Sequence, residues 1–284
     1  MTLRYDTISF LSDYGLGDEF VGVVKSVIRS IAPEAAVVDV THDVAPHDVR
    51  AGGLALARSA QYLVPGVVLA VVDPGVGGNR RAVAVEVGDG ASVLVGPDNG
   101  LLAPAVAMVG GASRAVELTD GNYHLQSPGP TFAGRDVFAP VAAHLCLGAG
   151  LEDLGTPLPV ASLTPGVVPV SRVDGGQAFA EVLWVDRFGN VQLNLDPVEI
   201  EPFGPALRLT AGGVGRSARR VDSYSELEGG ELGVLVDSYG LVAVTVNRGS
   251  AALELNCIEG DSVAVETGGS ATTTPVHLQP KRSD

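Results

Sequence analysis

The sequence predicts an α/β N-terminal domain, a mostly parallel sheet flanked by helices, followed by a smaller all-β domain. Three observations carry this. Short apolar runs alternate with helical patterns through the first half, as βαβ units covered on both faces require. A Pro- and Gly-rich stretch, TPLPVASLTPGVVPVSRVDGG, interrupts the alternation from about 155 to 175 and marks a boundary. Beyond it only short strand-like runs between Gly-rich turns occur, which suits a small barrel or sandwich. At 284 residues the chain has the length of about two domains. The expected divisions are 1–165 for the α/β domain, 172–268 for the β domain and 269–284 for a polar, disordered tail.

Residues 7–11, TISFL, form the first apolar run and end in the turn Ser12-Asp13-Tyr14-Gly15. Phe20, Val23, Val24, Val27, Ile28 and Ile31 then recur at helical spacing, with Asp18 as N-cap and Pro33 as a stop. AVVDV at 36–40 reads as the next strand and 48–62 as the next helix. VVLAVV (67–72), AVAVEV (82–87) and SVLVG (92–96) are β-branched runs bounded by Gly, Pro and Asn. Helices are expected around 100–109 and 135–147. The second domain should hold strands at 179–185, 191–195, 206–210, 232–236, 241–246 and 262–266.

Charge narrows the function. Lys and Arg total 18 against 33 Asp and Glu, a net charge of −15, which argues against a nucleic-acid partner or an anionic membrane surface. No apolar run reaches the ~20 residues of a membrane span, and MTLRYDTISF lacks a signal-peptide core, so the expected compartment is the cytoplasm. Cys146 and Cys257 are too few and too far apart for a disulfide framework or a cysteine metal cluster. The five His residues (42, 47, 124, 144 and 277) show no metal-ligand spacing, so no metal is expected.

Ligands in open α/β sheets bind beyond the carboxyl ends of strands. Three acidic motifs fall at such ends: Ser12-Asp13, Thr41-His42-Asp43 and Asp73-Pro74-Gly75-Val76-Gly77. The third combines a carboxylate leaving an apolar strand with Arg80 and Arg81 before the next one. It reads equally as a capped turn beside a solvated Arg, or as an Asp–Arg pair in a partly dry pocket, where the opposite charge favours the carboxylate. Gly75, Gly77 and Gly78 fit no phosphate-loop pattern. Gly96-Pro97-Asp98-Asn99-Gly100 reads as a turn with capping. Pro130 to Asp136 enters a helix and offers backbone N–H groups. Asp186-Arg187-Phe188-Gly189-Asn190 is either a hairpin turn or a grip for an amine and a base. No G-x-S-x-G elbow supports a serine hydrolase.

The segments FLSDYGLGDEFVGVVK, DVTHDVAPHDVRAGG, VVDPGVGGNRR, VGPDNGLL, PTFAGRDVFAPVAAHL, VDRFGNVQLN and DSYG occur in this order between about residues 7 and 266. Together they closely resemble the S-adenosyl-L-methionine (SAM) hydroxide adenosyltransferases, adenosine-forming hydrolases related to the fluorinase and chlorinase. The resemblance implies an N-terminal α/β domain, a C-terminal β-barrel and a homotrimer. Each active site then lies between one subunit's N-terminal domain and a neighbour's C-terminal domain. It also implies that water or hydroxide attacks the ribose C5′ in line with the sulfonium, giving adenosine and L-methionine. SAM is then the substrate and no cofactor is required.

The family's water-activating set is an Asp, an Arg and a His. Asp73 and Arg80 match the first two, whereas Ala133 stands where the pattern T-F-H-G-R-D has His. This departure leaves three readings: an introduced alanine, a variant working through Asp73 and Arg80, or a protein that binds adenosine or SAM without turnover. Among substrate contacts, the resemblance implies Asp13 for the ribose hydroxyls, Asp186 and Ser238 for the amino-acid end, and Phe188 and Asn190 for adenine. His47, Gly134, Tyr239 and Arg248 complete the expected set; His47 takes the place of a stacking aromatic, and Tyr239 that of an Arg in the halogenases. A halogenase is disfavoured because that branch replaces the Asp with Tyr and lacks the Arg. Only residues 82–96 separate Arg81 from Pro97, leaving no room for the fluorinase-type insertion.

Overall fold

The structure is a computed structural model in which residues 3–269 are described; the expectation for the polar tail lies outside them, but for residue 269. The chain divides between Val168 and Pro169 into two units.

The first unit is built on a seven-stranded sheet, formed by β1 (Thr7–Ser12), β2 (Ala36–Thr41), β3 (Val67–Val71), β4 (Ala82–Val87), β5 (Ser92–Pro97), β6 (Ala112–Glu117) and β7 (Thr156–Leu158), in the order β2-β1-β3-β5-β4-β6-β7. β2, β1, β3 and β5 run parallel, and β4, β6 and β7 extend them antiparallel. β3 is buried throughout, which is why it reads as one unbroken apolar run. Helices α1 (Phe20–Ile31), α2 (Val49–Ala60), α3 (Ala103–Met108) and α4 (Ala139–Cys146) cover the sheet, and their contacts divide into two apolar cores. One joins Phe10, Val24, Ile28, Leu69 and Phe138; the other joins Leu11, Leu56, Val68, Val83 and Leu101.

Two local expectations are corrected. Asp18 does not cap α1: the N-cap is Glu19, whose dihedrals are already helical and whose side chain makes no capping bond. A side chain reaches back over the first turn from a non-helical residue, as Asp48 does at α2, accepting the Ala51 N–H at 2.8 Å. The helix expected at 135–147 is two pieces, a π turn at Gly134–Phe138 and then α4. Pro140 cannot donate to the carbonyl four residues earlier, and that carbonyl, of Asp136, accepts the Leu125 N–H at 2.8 Å instead.

The second unit is a closed barrel of seven strands. β9 (Gln177–Val185), β10 (Val191–Leu193), β11 (Ala206–Ala211), β12 (Val214–Arg220), β13 (Leu232–Val236), β14 (Val242–Val246) and β15 (Ser262–Thr267) follow one another around the ring as β10-β14-β13-β12-β11-β15-β9. The pairing of β9 with β10 closes it, and β8 (Arg172–Asp174) is appended outside on β9. Closure removes the free edges that a sandwich would keep. Ala178, Ala180 and Val182 of β9 and Leu207, Leu209 and Ala211 of β11 alternate inward to fill the interior.

Candidate active site

The parallel run β1, β2, β3 brings the turn after each strand to one edge of the first unit, as the acidic motifs at their carboxyl ends require. After β3, two successive turns (Val76 N–H to Asp73 O at 3.2 Å, Gly78 N–H to Gly75 O at 3.0 Å) fold the chain back. They place Arg80 on Asp73. Arg80 Nε donates to Oδ1 at 2.9 Å and to Oδ2 at 3.0 Å, and Nη2 donates to Oδ2 at 2.5 Å. Both side chains are largely shielded, 6 % exposed for Asp73 and 16 % for Arg80, and the guanidinium lies 5.3 Å from the Phe138 ring. A carboxylate offers about four acceptor positions, so Oδ1, which takes one bond, retains capacity for a water. Gly77 adopts φ +76°, and a Cβ there would stand 3.2 Å from the Pro130 carbonyl; the glycine lets this loop lie against the segment leading to Ala133.

Asp13 follows β1, and its Oδ2 accepts the His47 N–H at 2.9 Å, which His47 presents from a left-handed conformation of φ +70°. Tyr14 packs edge-on against Phe132 and beside Phe20. Burial, then the negative charges of Asp13 and Asp73, push its phenol well above the usual range, with Arg80 pulling the other way. The hydroxyl is therefore a proton-bearing donor close to the Asp–Arg pair. A Cβ on Gly134 would fall 2.1 Å from that oxygen, so glycine at 134 is what admits the tyrosine. Ala133 is buried in the adjoining apolar core. Tyr14 is a residue that sequence reasoning missed, although it lies inside a motif singled out for Asp13.

The turn at Asp98 and Asn99 is structural. Asp98 holds Arg81 (Nε at 2.8 Å) and the Thr164 N–H (2.7 Å). Asn99 accepts from the Leu101 N–H and donates to the Val72 carbonyl, next to Asp73.

In the second unit, Asp186, Asn190, Ser238 and Tyr239 line one cleft of about 370 Å³, together with Trp184, Gln192, Tyr224 and Asp237. Asp186 accepts from Phe188 N–H (2.9 Å), Asn190 N–H (2.9 Å) and Asn190 Nδ2 (2.7 Å), and Thr245 Oγ1 donates to Asn190 Oδ1 at 2.6 Å. Asp237 accepts from Tyr239 and Leu241 N–H groups and from Gln192 Nε2. Burial and the facing Asp186 and Asp237 carboxylates raise the Tyr224 phenol above its usual value, so the cleft is acidic. Buried Gln192 Oε1 has no partner among the described residues. Phe188, 75 % exposed on the hairpin turn, and Arg248, in a turn at φ +56°, do not line this cleft. Gln192 lies in the segment VDRFGNVQLN, where its place as the one polar residue of an apolar strand is the signal that could have found it, and Asp237 adjoins Ser238 in DSYG.

Among the described residues no cluster of three or more His, Cys, Asp or Glu could hold a metal, and no helix is long and apolar enough to cross a membrane. Cys146 and Cys257 are free and buried, and burial pushes the Cys146 thiol up to about 12, leaving it an inert apolar group.

The family model for the SAM hydroxide adenosyltransferase N-terminal domain matches residues 8–155, and that for the C-terminal domain residues 180–264. A Salinispora tropica protein named (R)-S-adenosyl-L-methionine hydrolase is 48 % identical over 92 % of this chain and 98 % of its own. A Thermus thermophilus protein of the same name is 42 % identical over 89 % and 96 %. A Nocardia brasiliensis fluorinase is more distant, at 28 % over 93 % and 98 %. A crystal structure of a Thermotoga maritima protein superposes with a TM-score of 0.85 at 35 % identity, covering 91 % of this chain and 99 % of that one.

Proposed function

The chain belongs to the SAM hydroxide adenosyltransferase family, and from that premise we propose that it hydrolyses SAM to adenosine and L-methionine. The observation that carries the reading is the shielded, forked Asp73–Arg80 pair at the carboxyl edge of the parallel strands. The sulfonium is already a good leaving group, so the protein must place and activate a water opposite sulfur. The water oxygen bonds to C5′ as the C5′–S bond breaks. The bonding electrons pass to sulfur, which departs as the thioether of methionine, and the proton lost by the water passes to the Asp73 carboxylate. Arg80 fixes the rotation of that carboxylate and balances its charge.

Asp13, whose Oδ1 is not committed to His47, is taken to receive the ribose hydroxyls. The acidic cleft of the second unit, with Asp186 and Ser238, is taken to receive the ammonium end of methionine. We assign Asn190, Phe188, Tyr239 and Arg248 to the adenosine and methionine surroundings on the same basis. One site then combines the first unit of one copy with the second unit of a neighbouring copy in a homotrimer, working in the cytoplasm without a cofactor. A halogenase is disfavoured because the Asp73 carboxylate would repel a halide at the nucleophile position.

A second reading rests on Ala133: with no titratable group there, the chain would bind SAM or adenosine without turnover. Incubation with SAM, followed by chromatography of the products, separates the two. Equimolar adenosine and methionine, independent of chloride, supports hydrolysis; 5′-chloro-5′-deoxyadenosine that rises with chloride refutes it; bound but intact SAM supports the binding protein.

A further inference from the structure

The turn that carries Asp13 and Tyr14 is held from beneath by a chain of three side chains that the reaction itself does not use. Ser12, the last residue of β1, is wholly buried, and its Oγ lies 2.8 Å from Nδ1 of His42. His42 is 4 % exposed, and its Nε2 lies 3.1 Å from Asp39 Oδ1. The other Asp39 oxygen accepts from Lys25 Nζ at 2.6 Å. The proton positions follow from the partners. Ser12 Oγ accepts the Tyr14 N–H at 3.3 Å and keeps its own hydrogen to donate, while the Asp39 carboxylate can only accept, which in the neutral ring leaves Nδ1 as the acceptor from Ser12. The ring hydrogen then sits on Nε2 and points at the Asp39 carboxylate.

These are the residue types of a hydrolytic triad, but the serine faces the interior and can attack nothing. What they grip is the turn. The His42 carbonyl accepts the Gly15 N–H at 2.8 Å, so one residue holds Ser12 through its ring and Gly15 through its backbone. Asp13 and Tyr14 lie between these two points. The ring is itself fixed edge-on against Phe10 at 4.6 Å.

We propose that His42 is a positioning residue for ligand binding: through Ser12 and Gly15 it fixes the Ser12–Gly15 turn so that the Asp13 carboxylate and the Tyr14 hydroxyl face the ligand. The proposal rests on the reading that these loops bind the adenosine part of SAM.

The test uses two substitutions that differ in which ring nitrogen they imitate. In His42→Asn the side-chain oxygen can occupy the place of Nδ1 and accept from Ser12. In His42→Gln the amide reaches the place of Nε2 and keeps Asp39, but leaves Ser12 without an acceptor. Adenosine affinity is measured by titration calorimetry, kcat and KM by adenosine release from SAM, and thermal stability alongside. His42→Gln should weaken adenosine binding and raise KM about tenfold, the scale of one neutral hydrogen bond, with kcat much less affected. His42→Asn should restore most of that loss, although Gln is nearer to His in volume. Ser12→Ala should match His42→Gln, and the double variant should lose little more than either alone.

Equal affinities in all variants would overturn the proposal, as would losses that track side-chain volume and melting temperature instead of the Nδ1 acceptor. A wild-type chain that binds adenosine but releases none leaves the proposal testable by calorimetry alone while refuting hydrolysis. A wild-type chain that binds neither adenosine nor SAM refutes both.

Discussion

Arg80 grips both carboxylate oxygens of Asp73 across the Pro-Gly turn that follows β3. The two substitutions that break this pair should behave differently. Asp73→Asn removes the proton acceptor, so adenosine release should fall about 10²–10⁴-fold; it also sets an amide donor against Arg80, whose guanidinium is left without its counter-charge, so the melting temperature should drop as well, by less than in Arg80→Ala. Arg80→Ala leaves a shielded carboxylate without its counter-charge, which costs about 3–5 kcal/mol for a buried pair, so both melting temperature and rate should drop. Arg80→Lys keeps the charge but cannot form the fork and should fall between Arg80→Ala and the wild type. Parallel melts and product assays check this; a fully active Asp73→Asn would remove Asp73 from the chemistry.

Gly134 and Tyr14 compete for one volume. A Cβ at 134 would lie 2.1 Å from the Tyr14 hydroxyl and 3.1 Å from its Cζ, and the first distance is impossible without movement of the ring. Gly134→Ala should destabilise the first unit by about 1–3 kcal/mol, the usual range for overpacking, and weaken adenosine binding. Adding Tyr14→Phe removes the oxygen and should recover part of the stability. If Gly134→Ala melts and binds like wild type, Gly134 and the Tyr14 hydroxyl do not approach this closely.

Ala133→His tests what the departure from the family pattern does. Ala133 sits in the apolar core next to Gly134, so the larger ring should lower stability by about 1–3 kcal/mol. If the position supplies an acid/base group, adenosine release should nevertheless rise, by up to about 10²–10⁴-fold. Zero release from both chains, with SAM still bound in each, would favour the binding protein.

The readable and unreadable parts of this molecule differ in how local their causes are. β3 stands out because burial on both faces makes a continuous apolar run, and β4 does so despite the buried Glu86 because its other five residues are Ala and Val. β6, ASRAVE, and β12, VGRSARR, were missed because exposed positions carry charge and break the apolar run. The Asp73–Arg80 pair was visible as an alternative because seven residues and a Pro-Gly turn separate its members. The Ser12–His42–Asp39 chain was not, because it exists only once β1 and β2 pair in parallel, with a register shift between Phe10 and Leu11. Ser12 and His42 were each noted at a strand end; nothing in their spacing says that they touch.

Asp186 is the hub of its own hairpin before it is a ligand contact. Three hydrogen bonds converge on it from Phe188 and Asn190; in Asp186→Asn the retained oxygen can still accept the two backbone N–H groups, but the new amide is set against the Asn190 Nδ2 donor. That substitution should destabilise the barrel by about 0.5–1.5 kcal/mol, the scale of one hydrogen bond at a part-buried site. Thr245→Val, which removes only the donor to Asn190 Oδ1, should cost less and leave Asp186 in place. If ligand affinity falls in Asp186→Asn but not in Thr245→Val, the carboxylate acts on the ligand directly; equal losses would make its role one of turn structure.

Acid should lower the stability of the protein in two stages. Burial lowers the His124 and His144 imidazoles below the ordinary 6.5, and His124 Nε2 has no partner among the described residues. A histidine with a depressed folded value binds protons more readily when unfolded. Its contribution is complete above the unfolded value and is lost as pH falls from about 6.5 toward the folded one. The second stage belongs to carboxylates. Arg114 holds Glu86 below its usual value, and hydrogen bonds from Lys25 and His42 outweigh burial to lower Asp39. Their stabilisation is present above the ordinary values, 4.5 for Glu86 and 3.8 for Asp39, and is lost as the pH falls through the lowered ones. Melting temperatures measured from pH 8 to pH 3 should therefore decline first below about 6.5 and again below about 4.5. The double variant His124→Gln/His144→Gln should flatten the first decline and leave the second, whereas Glu86→Gln should reduce the second and leave the first. A first decline that survives the double histidine variant would place its cause elsewhere in the fold.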